Sequence, residues 1–248
     1  EKQKILQIDI DDEEIGRNYE NTQGILGDAK KSLQNLLSEL KNQMPPKTSR
    51  KDELVSMKQK RFNPETIIEP QQSYIEAIRA AIPEDGILVA GMTQLGYYSR
   101  NRFEVYEPRT YITSSYYGNL GYAFPTALGA KVAQPDKAVV AVSGDGGFMF
   151  NVQELSTAVR HNINVVTVLF NDNAYGNVMR DQVNMFDGRE YGAKVTNPDF
   201  IKLAESFGVN AIRVENGAEA LKAAITAALQ IDQPTLIEVP VGEMPNPF

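Results

Sequence analysis

An apolar strand that stops in glycines and an aspartate decides the fold of this chain. Residues 139–147 read Val-Val-Ala-Val-Ser-Gly-Asp-Gly-Gly, and an unbroken apolar run is typical of a strand buried on both faces of a parallel sheet. The glycines let backbone N–H groups approach a phosphate closely, and the carboxylate of Asp145 can bind a hard cation. A helix that follows would attract negative charge to its first turn. The pattern also fits an ordinary strand-to-helix turn, in which the glycines serve tight geometry alone.

A second polar turn follows the next predicted strand, residues 165–170. The turn reads Asn171, Asp172, Asn173, Ala174, Tyr175 and Gly176. Right-handed crossovers place the carboxyl ends of neighbouring parallel strands at one edge of the sheet. We therefore expect Asp145 and Asp172 to converge there, where two carboxylates repel each other unless they are protonated or bound to a cation such as Mg²⁺.

Outward from these turns, strand-like and helical patterns alternate along the chain. Further strands are predicted at 87–90, 138–143, 211–214 and 235–239, and helices at 72–82, 123–133, 152–162, 200–207 and 218–229. Such alternation is typical of an α/β fold in which helices cover both faces of a parallel sheet. The sequence therefore predicts a doubly wound, mostly parallel sheet.

The first residues read as one strand and one helix. The strand is predicted at 5–8 and the helix at 29–40, with Asp28 as its N-cap and leucines along one face. Neither element has a second layer to bury against, so this piece cannot build a core by itself. We expect it to belong to a domain whose earlier part is absent, which makes the chain a fragment.

Domain boundaries follow from a polar, proline-containing stretch between these two regions. We predict an incomplete α/β piece at 1–43, a linker at 44–64 and a large α/β domain at 65–248.

Composition excludes several classes of site and partner. The chain of 248 residues has no cysteine, which rules out disulfides, thiolate metal sites and a cysteine nucleophile. A formal net charge of −7 argues against nucleic acid and anionic membranes as partners. No apolar run of about 18 residues and no signal-peptide pattern is present, so a cytoplasmic location is expected.

The two polar turns together resemble a motif of the thiamine-diphosphate enzyme superfamily, Gly-Asp-Gly followed at this interval by Asn-Asn or a variant. The resemblance covers essentially all of residues 65–248. It implies that Asp145, Asp172 and the backbone carbonyl of Ala174 bind Mg²⁺. Asp172 departs from the commoner Asn, which keeps an oxygen ligand but adds a negative charge beside the diphosphate.

Two further segments carry the resemblance. Residues 118–130 are similar to the segment that bends the cofactor, which implies that the Gly118 carbonyl accepts from the 4′-amino group and that Leu120 is a wedge between the two rings. Thr93 and Gln94 match a loop at the far end of the diphosphate. The full set of implied cofactor-binding residues is Thr93, Gln94, Gly118, Leu120, Gly144, Asp145, Gly146, Gly147, Asp172, Ala174, Tyr175 and Gly176.

Residues 8–18 are similar to the end of the middle domain of acetolactate-synthase-like members. In this family an activating glutamate comes from a pyrimidine-binding domain, usually of another subunit, so we expect no catalytic residue in this chain, no activity of the chain alone, and a homo-oligomeric enzyme. The implied reaction is decarboxylation of a 2-oxo acid, followed by aldehyde release or by joining of the acyl unit to a second carbonyl. Use of FAD by the middle domain stays open.

Two other functions compete with this reading. One is a non-catalytic module of the same fold that binds a phosphorylated ligand or another chain. The other is a dinucleotide-dependent dehydrogenase, which the absence of Gly-x-Gly-x-x-Gly after the first strand of the large domain argues against. His161, the single histidine, falls at a predicted helix end and receives no role, and Arg180 is a candidate partner for a substrate carboxylate.

Overall fold

The computed structural model of the chain consists of two compact units, Glu1–Asn63 and Pro64–Phe248. The residues that it describes are 3–45, 47–61, 64–114 and 116–247.

Over its described residues, the first unit contains a two-stranded parallel sheet, two α-helices and a 3₁₀ turn at Asp12–Glu14. Its elements are β1 (Ile5–Asp9), β2 (Thr22–Leu26), α1 (Ala29–Gln43) and α2 (Lys51–Arg61). The predicted strand and helix are confirmed, while β2 and α2 were not predicted. The apolar residues of α2, which are Leu54, Val55 and Met57, do not gather on one face, so the helix lacks the apolar stripe by which a helix is recognised.

The predicted N-cap of α1 is confirmed, because the Asp28 carboxylate accepts a hydrogen bond from the Lys31 backbone N–H at 2.9 Å. The apolar face of α1 is exposed, as its leucines show: Leu33, Leu36, Leu37 and Leu40. Over 3–45 and 47–60, no residue of this unit is buried. The domain assignments 1–43, 44–64 and 65–248 stay predictions, and α2 lies within the predicted linker.

The second unit is built on a parallel sheet with strand order β4-β3-β5-β6-β8-β7. Its strands are β3 (Ile87–Ala90), β4 (Tyr111–Thr113), β5 (Val139–Gly144), β6 (Val166–Asn171), β7 (Asn210–Arg213) and β8 (Thr235–Pro240). Its helices are α3 (Gln71–Ala81), α4 (Gln94–Arg102), α5 (Ala123–Ala133), α6 (Asp145–Met149), α7 (Leu155–Arg160), α8 (Gly176–Met185), α9 (Phe200–Ser206) and α10 (Gly217–Ala228). The predicted α/β class and parallel sheet are confirmed.

Two apolar cores cover the two faces of this sheet. Val140 and Val142 of β5 pack with residues of α3, α4 and α10, whereas Val139 and Ala141 pack with residues of α5, α6, α7 and α9. Successive side chains of a strand point to opposite faces, so burial on both sides explains the unbroken apolar run of β5. Among the helices of the described ranges, none is long and apolar enough to cross a bilayer.

The connection after β5 differs from its prediction. A single helix was expected at 152–162, but α6 begins at Asp145 itself, and a 3₁₀ turn at Val152–Glu154 leads into α7. The extended backbone of Gly144, with φ −85° and ψ 161°, forms the N-cap of α6. Three residues of the glycine-rich turn thus lie in the first turn of a helix.

The glycine of α4 allows a close backbone approach that sets the turn after β3. A Cβ on Gly96 would lie 1.9 Å from the Gly91 carbonyl oxygen, whereas a Cβ on Gly129 of α5 meets nothing within 4 Å. We expect Gly96→Ala to lower the free energy of unfolding by about 2–3 kcal/mol, and Gly129→Ala to raise it by about 0.5–1 kcal/mol. Urea unfolding followed by circular dichroism measures both, and equal effects of the two substitutions would contradict this packing.

Candidate functional site

The cavity of interest lies at the carboxyl edge of the sheet and has a volume of about 200 Å³. It is bounded by the turns that follow β3, β5 and β6 and by the loop that precedes α5. All twelve residues implied as cofactor-binding line it: Thr93, Gln94, Gly118, Leu120, Gly144, Asp145, Gly146, Gly147, Asp172, Ala174, Tyr175 and Gly176. Four other lining residues, Met92, Tyr97, Asn177 and Val178, do not belong to the implied cofactor-binding set.

A larger cavity, about 680 Å³, lies at the opposite edge of the sheet, near the amino ends of β5 and β6. Its lining mixes basic and acidic side chains, such as Lys131 and Asp232, and contains none of the implied cofactor-binding residues. His161 lies there as the C-cap residue of α7. Size therefore does not select the site. The smaller cavity has the converging carboxylates.

Two acidic side chains meet in the smaller cavity. Asp145 is buried, with 1% of its surface exposed. Burial and then the negative charge of Asp145 raise the pKa of Asp172 from 3.8 to about 6, although the Ala174 backbone N–H donates to Asp172 Oδ1 at 3.2 Å. The predicted convergence of the two carboxylates is confirmed, and their repulsion is of the kind that a bound cation relieves.

The donor set suits Mg²⁺ better than a metal that is held by protein ligands alone. In the described ranges, no group of three or more His, Cys, Asp or Glu side chains could hold a metal ion. Mg²⁺ commonly uses one or two carboxylates and fills its other positions with water and phosphate oxygens. Asp145, Asp172 and a carbonyl such as that of Ala174 fit this requirement.

Glycines allow the polar groups of the cavity to approach one another. A Cβ on Gly146 would lie 2.4 Å from the Tyr175 ring, and a Cβ on Gly176 would lie 2.7 Å from Asp172 Oδ2. A side chain at either position would displace one of these groups. The glycines after β5 and β6 therefore shape the cavity.

The loop before α5 also depends on glycines. Gly118 and Gly121 have positive φ angles of 62° and 75°, which L side chains rarely adopt. The Asn151 amide donates to the Gly121 carbonyl at 2.7 Å and holds the loop against the residues that follow α6. The side chain of Leu120 reaches to 3.8 Å from the Cβ position of Gly147, so it borders the glycine-rich turn.

Asn197 was missed by sequence reasoning, yet it contacts the acidic pair. Its Nδ2 lies 2.5 Å from Asp145 Oδ2, 3.0 Å from Asn171 Oδ1 and 3.3 Å from Asn173 Oδ1. It is brought there because the Val195 N–H donates to the Asn173 carbonyl at 2.9 Å. No spacing rule in the sequence marks an asparagine in the loop before α9.

Arg180 is not one of the residues that line the cavity, but it contacts one of them, Gln94. It donates to the Gln94 side-chain oxygen from Nη1 at 3.0 Å and from Nη2 at 2.8 Å when the amide is oriented to satisfy both groups. Its Nη2 also donates to the Met244 carbonyl at 3.1 Å. In this arrangement Arg180 orients Gln94, and its contact with a substrate carboxylate stays a prediction.

Comparison with known proteins identifies the family of the residues that form this cavity. The family described as thiamine pyrophosphate enzyme, C-terminal TPP binding domain, matches residues 91–239, a range that includes every implied cofactor-binding residue. The chain belongs to the thiamine pyrophosphate enzyme family. Its acetolactate-synthase-like character, expected from the resemblance, is also confirmed by the relatives.

Similar proteins include acetolactate synthases and a decarboxylase of this family. The chain is 34% identical to a probable acetolactate synthase large subunit of Methanococcus aeolicus, over 95% of this chain and 42% of that protein. It is 34% identical to the acetolactate synthase large subunit of Corynebacterium glutamicum, over 97% and 40%. It is 30% identical to a probable 2-ketoarginine decarboxylase of Pseudomonas aeruginosa, over 95% and 42%. The chain thus spans about two fifths of the length of these relatives.

The raised pKa of Asp172 predicts how the metal-free chain responds to pH. The folded state binds this proton more tightly than the unfolded state, so the contribution of Asp172 to stability is lost as pH rises from about 4 through about 6. We expect Asp172→Asn to remove this loss and to raise stability at pH 7.5 in EDTA. The control is Asp187→Asn, at a side chain that is 95% exposed.

Urea unfolding at pH 5 and pH 7.5 measures the effect. If the wild-type chain and the Asp172→Asn variant show the same difference in stability between these pH values, Asp172 is not the cause of the pH dependence.

Proposed function

We propose that this chain supplies the Mg²⁺- and diphosphate-binding part of a thiamine-diphosphate-dependent enzyme that decarboxylates a 2-oxo acid. The observation that carries the proposal is the carboxylate pair Asp145 and Asp172 in a glycine-lined cavity at the carboxyl edge of the sheet. Ligands bind at this edge in open parallel sheets. An acidic pair of which one member is buried would disfavour a diphosphate anion unless a divalent cation binds between the two carboxylates.

Each lining group has a proposed task. Asp145, Asp172 and the Ala174 carbonyl would hold Mg²⁺, and the backbone N–H groups of Gly146 and Gly147 in the first turn of α6 would face the diphosphate. Thr93 and Gln94 would contact its far end, with Gln94 oriented by Arg180.

The loop before α5 would bind the organic part of the cofactor. The Gly118 carbonyl would accept a hydrogen bond from the aminopyrimidine, and Leu120 would separate the rings. When bound, the cofactor would supply the nucleophile that adds to the substrate carbonyl. The chain itself would position that group and limit its contact with water.

The reaction after decarboxylation is proposed at the level of class. The product would be an aldehyde or the result of joining the acyl unit to a second carbonyl. The names of the relatives support both outcomes, since they include acetolactate synthases and a decarboxylase.

A second domain is part of the proposal. Among the residues that the structure describes, no glutamate lines the cavity. We propose that the carboxylate that activates the aminopyrimidine comes from a pyrimidine-binding domain of another subunit, in a homo-oligomeric enzyme. Tyr116 and Tyr117, which are 91% and 87% exposed, lie close to Gly118 in the chain and would be covered there. The chain alone would then bind cofactor weakly and lack activity.

Calorimetric titration of thiamine diphosphate tests the proposal. We expect binding in Mg²⁺, none in EDTA, and none for thiamine without its diphosphate. Asp145→Ala should lower the affinity by more than about 100-fold, because even residues behind metal ligands cost about 10-fold to 100-fold when they are removed. Asp187→Asn, at an exposed site, should leave the affinity unchanged.

The same titration is repeated on the whole enzyme, together with an assay of CO₂ release from 2-oxo acids. Phosphate-ligand binding without thiamine diphosphate binding or CO₂ release in the whole enzyme would refute the enzymatic function and favour the non-catalytic module.

A further inference from the structure

A line of polar side chains runs from the carboxyl edge of β7 across β8 and β6 to Asp145. Glu238 of β8 is buried, with 3% of its surface exposed, and its Oε2 accepts from Arg213 Nε at 2.8 Å. The other oxygen, Oε1, accepts from Asn171 Nδ2, also at 2.8 Å. A buried carboxylate is tolerated when it is paired and hydrogen-bonded in this way.

This pairing determines which way each amide points. Glu238 is ion-paired with Arg213, and an ion-paired carboxylate has acceptors only, so Glu238 accepts from both of its neighbours. Asn171 therefore turns its Nδ2 to Glu238 and its Oδ1 to Asn197. An amide nitrogen carries two hydrogens, and the two shortest contacts of Asn197 Nδ2 are to Asp145 and Asn171, with Asn173 farther away at 3.3 Å.

We propose that Asn197 is a positioning residue for Asp145, and that Arg213 and Glu238 orient it through Asn171. The hydrogen bond from Asn197 occupies Asp145 Oδ2, which leaves Oδ1 for a cation and opposes rotation of the carboxylate. This inference rests on the proposed role of Asp145 as a metal ligand. It extends the site to four residues that are not part of the cavity lining, namely Asn171, Asn197, Arg213 and Glu238.

The arrangement also separates the two acidic groups by role. Asn197 contacts Asp145 and not Asp172, whose Oδ1 accepts instead from the Ala174 backbone N–H. Asp145 is thus oriented by a side chain from a distant loop, while Asp172 is oriented by its own turn. Loss of Asn197 should therefore affect Asp145 first.

Mn²⁺ alone is the probe, and its affinity for the chain is measured by electron paramagnetic resonance. We expect Asn197→Ala to lower the affinity by about 10-fold to 100-fold, as is usual for residues behind metal ligands. Asn197→Gln, which keeps the amide donor, should recover part of that loss. Glu238→Gln should lower the affinity less than Asn197→Ala, since it removes the preference for one orientation of Asn171.

Asn210→Ala is the matched control. The Asn210 amide also donates to a side chain of β8, Thr235 Oγ1, at 3.3 Å. Asn210 and Thr235 are the first residues of β7 and β8, so this contact lies at the opposite edge of the sheet from Asp145. It should leave Mn²⁺ affinity unchanged. Thermal unfolding of each variant shows whether it is folded.

The outcomes separate this inference from the proposed function. The positioning role of Asn197 would be overturned if Asp145→Ala lowers the Mn²⁺ affinity while folded Asn197→Ala and Glu238→Gln do not. An equal loss in Asn197→Ala and Asn210→Ala, or no recovery in Asn197→Gln, would also overturn it. If the wild-type and Asp145→Ala chains bind Mn²⁺ with equal affinity, or if neither binds it, the proposed metal site is wrong and the inference fails with it.

Discussion

Repulsion between Asp145 and Asp172 is the constraint on which the site depends. The two carboxylates are brought together because β5 and β6 are adjacent parallel strands whose ends share one edge of the sheet. Burial makes their charge costly, and the raised pKa of Asp172 is the sign of that cost. A fold would retain such a pair only with something to offset it, and a divalent cation with an attached diphosphate does so directly.

The rest of the second unit serves to hold these groups at the edge. β5 is buried on both faces, so its end is set by two apolar cores rather than by a surface loop. The glycines after β5 and β6 then allow Tyr175 and Asp172 to approach backbone positions that a side chain would block. Rigid strands thus carry the ligands, and short turns bring the phosphate-binding backbone close to them.

Much of the fold and of the cavity could be predicted from the sequence, because both are encoded locally. The unbroken apolar run of β5 predicts that this strand is buried, and the turn residues that follow it predict the position of the site. Two of the elements that were missed lack such local patterns. β4 has three residues, and α4 places Gly96 and a run of polar residues where an apolar stripe would identify a helix.

Asn197 could not be predicted for a different reason. Its role comes from a long-range contact between the loop before α9 and the turn after β6, and its residue type is also common in ordinary loops. In the sequence, Glu238 is a charged residue within an apolar strand. Its partner Arg213 can be identified only when the pairing of β7 with β8 is known.

The most direct test of the central claim is a crystal structure of the chain with Mn²⁺ and thiamine diphosphate, with anomalous scattering used to locate the metal. The account predicts a manganese peak between the carboxylates of Asp145 and Asp172, in contact with the diphosphate at the first turn of α6. A bound cofactor with its metal elsewhere, or a diphosphate bound outside this cavity, would contradict it.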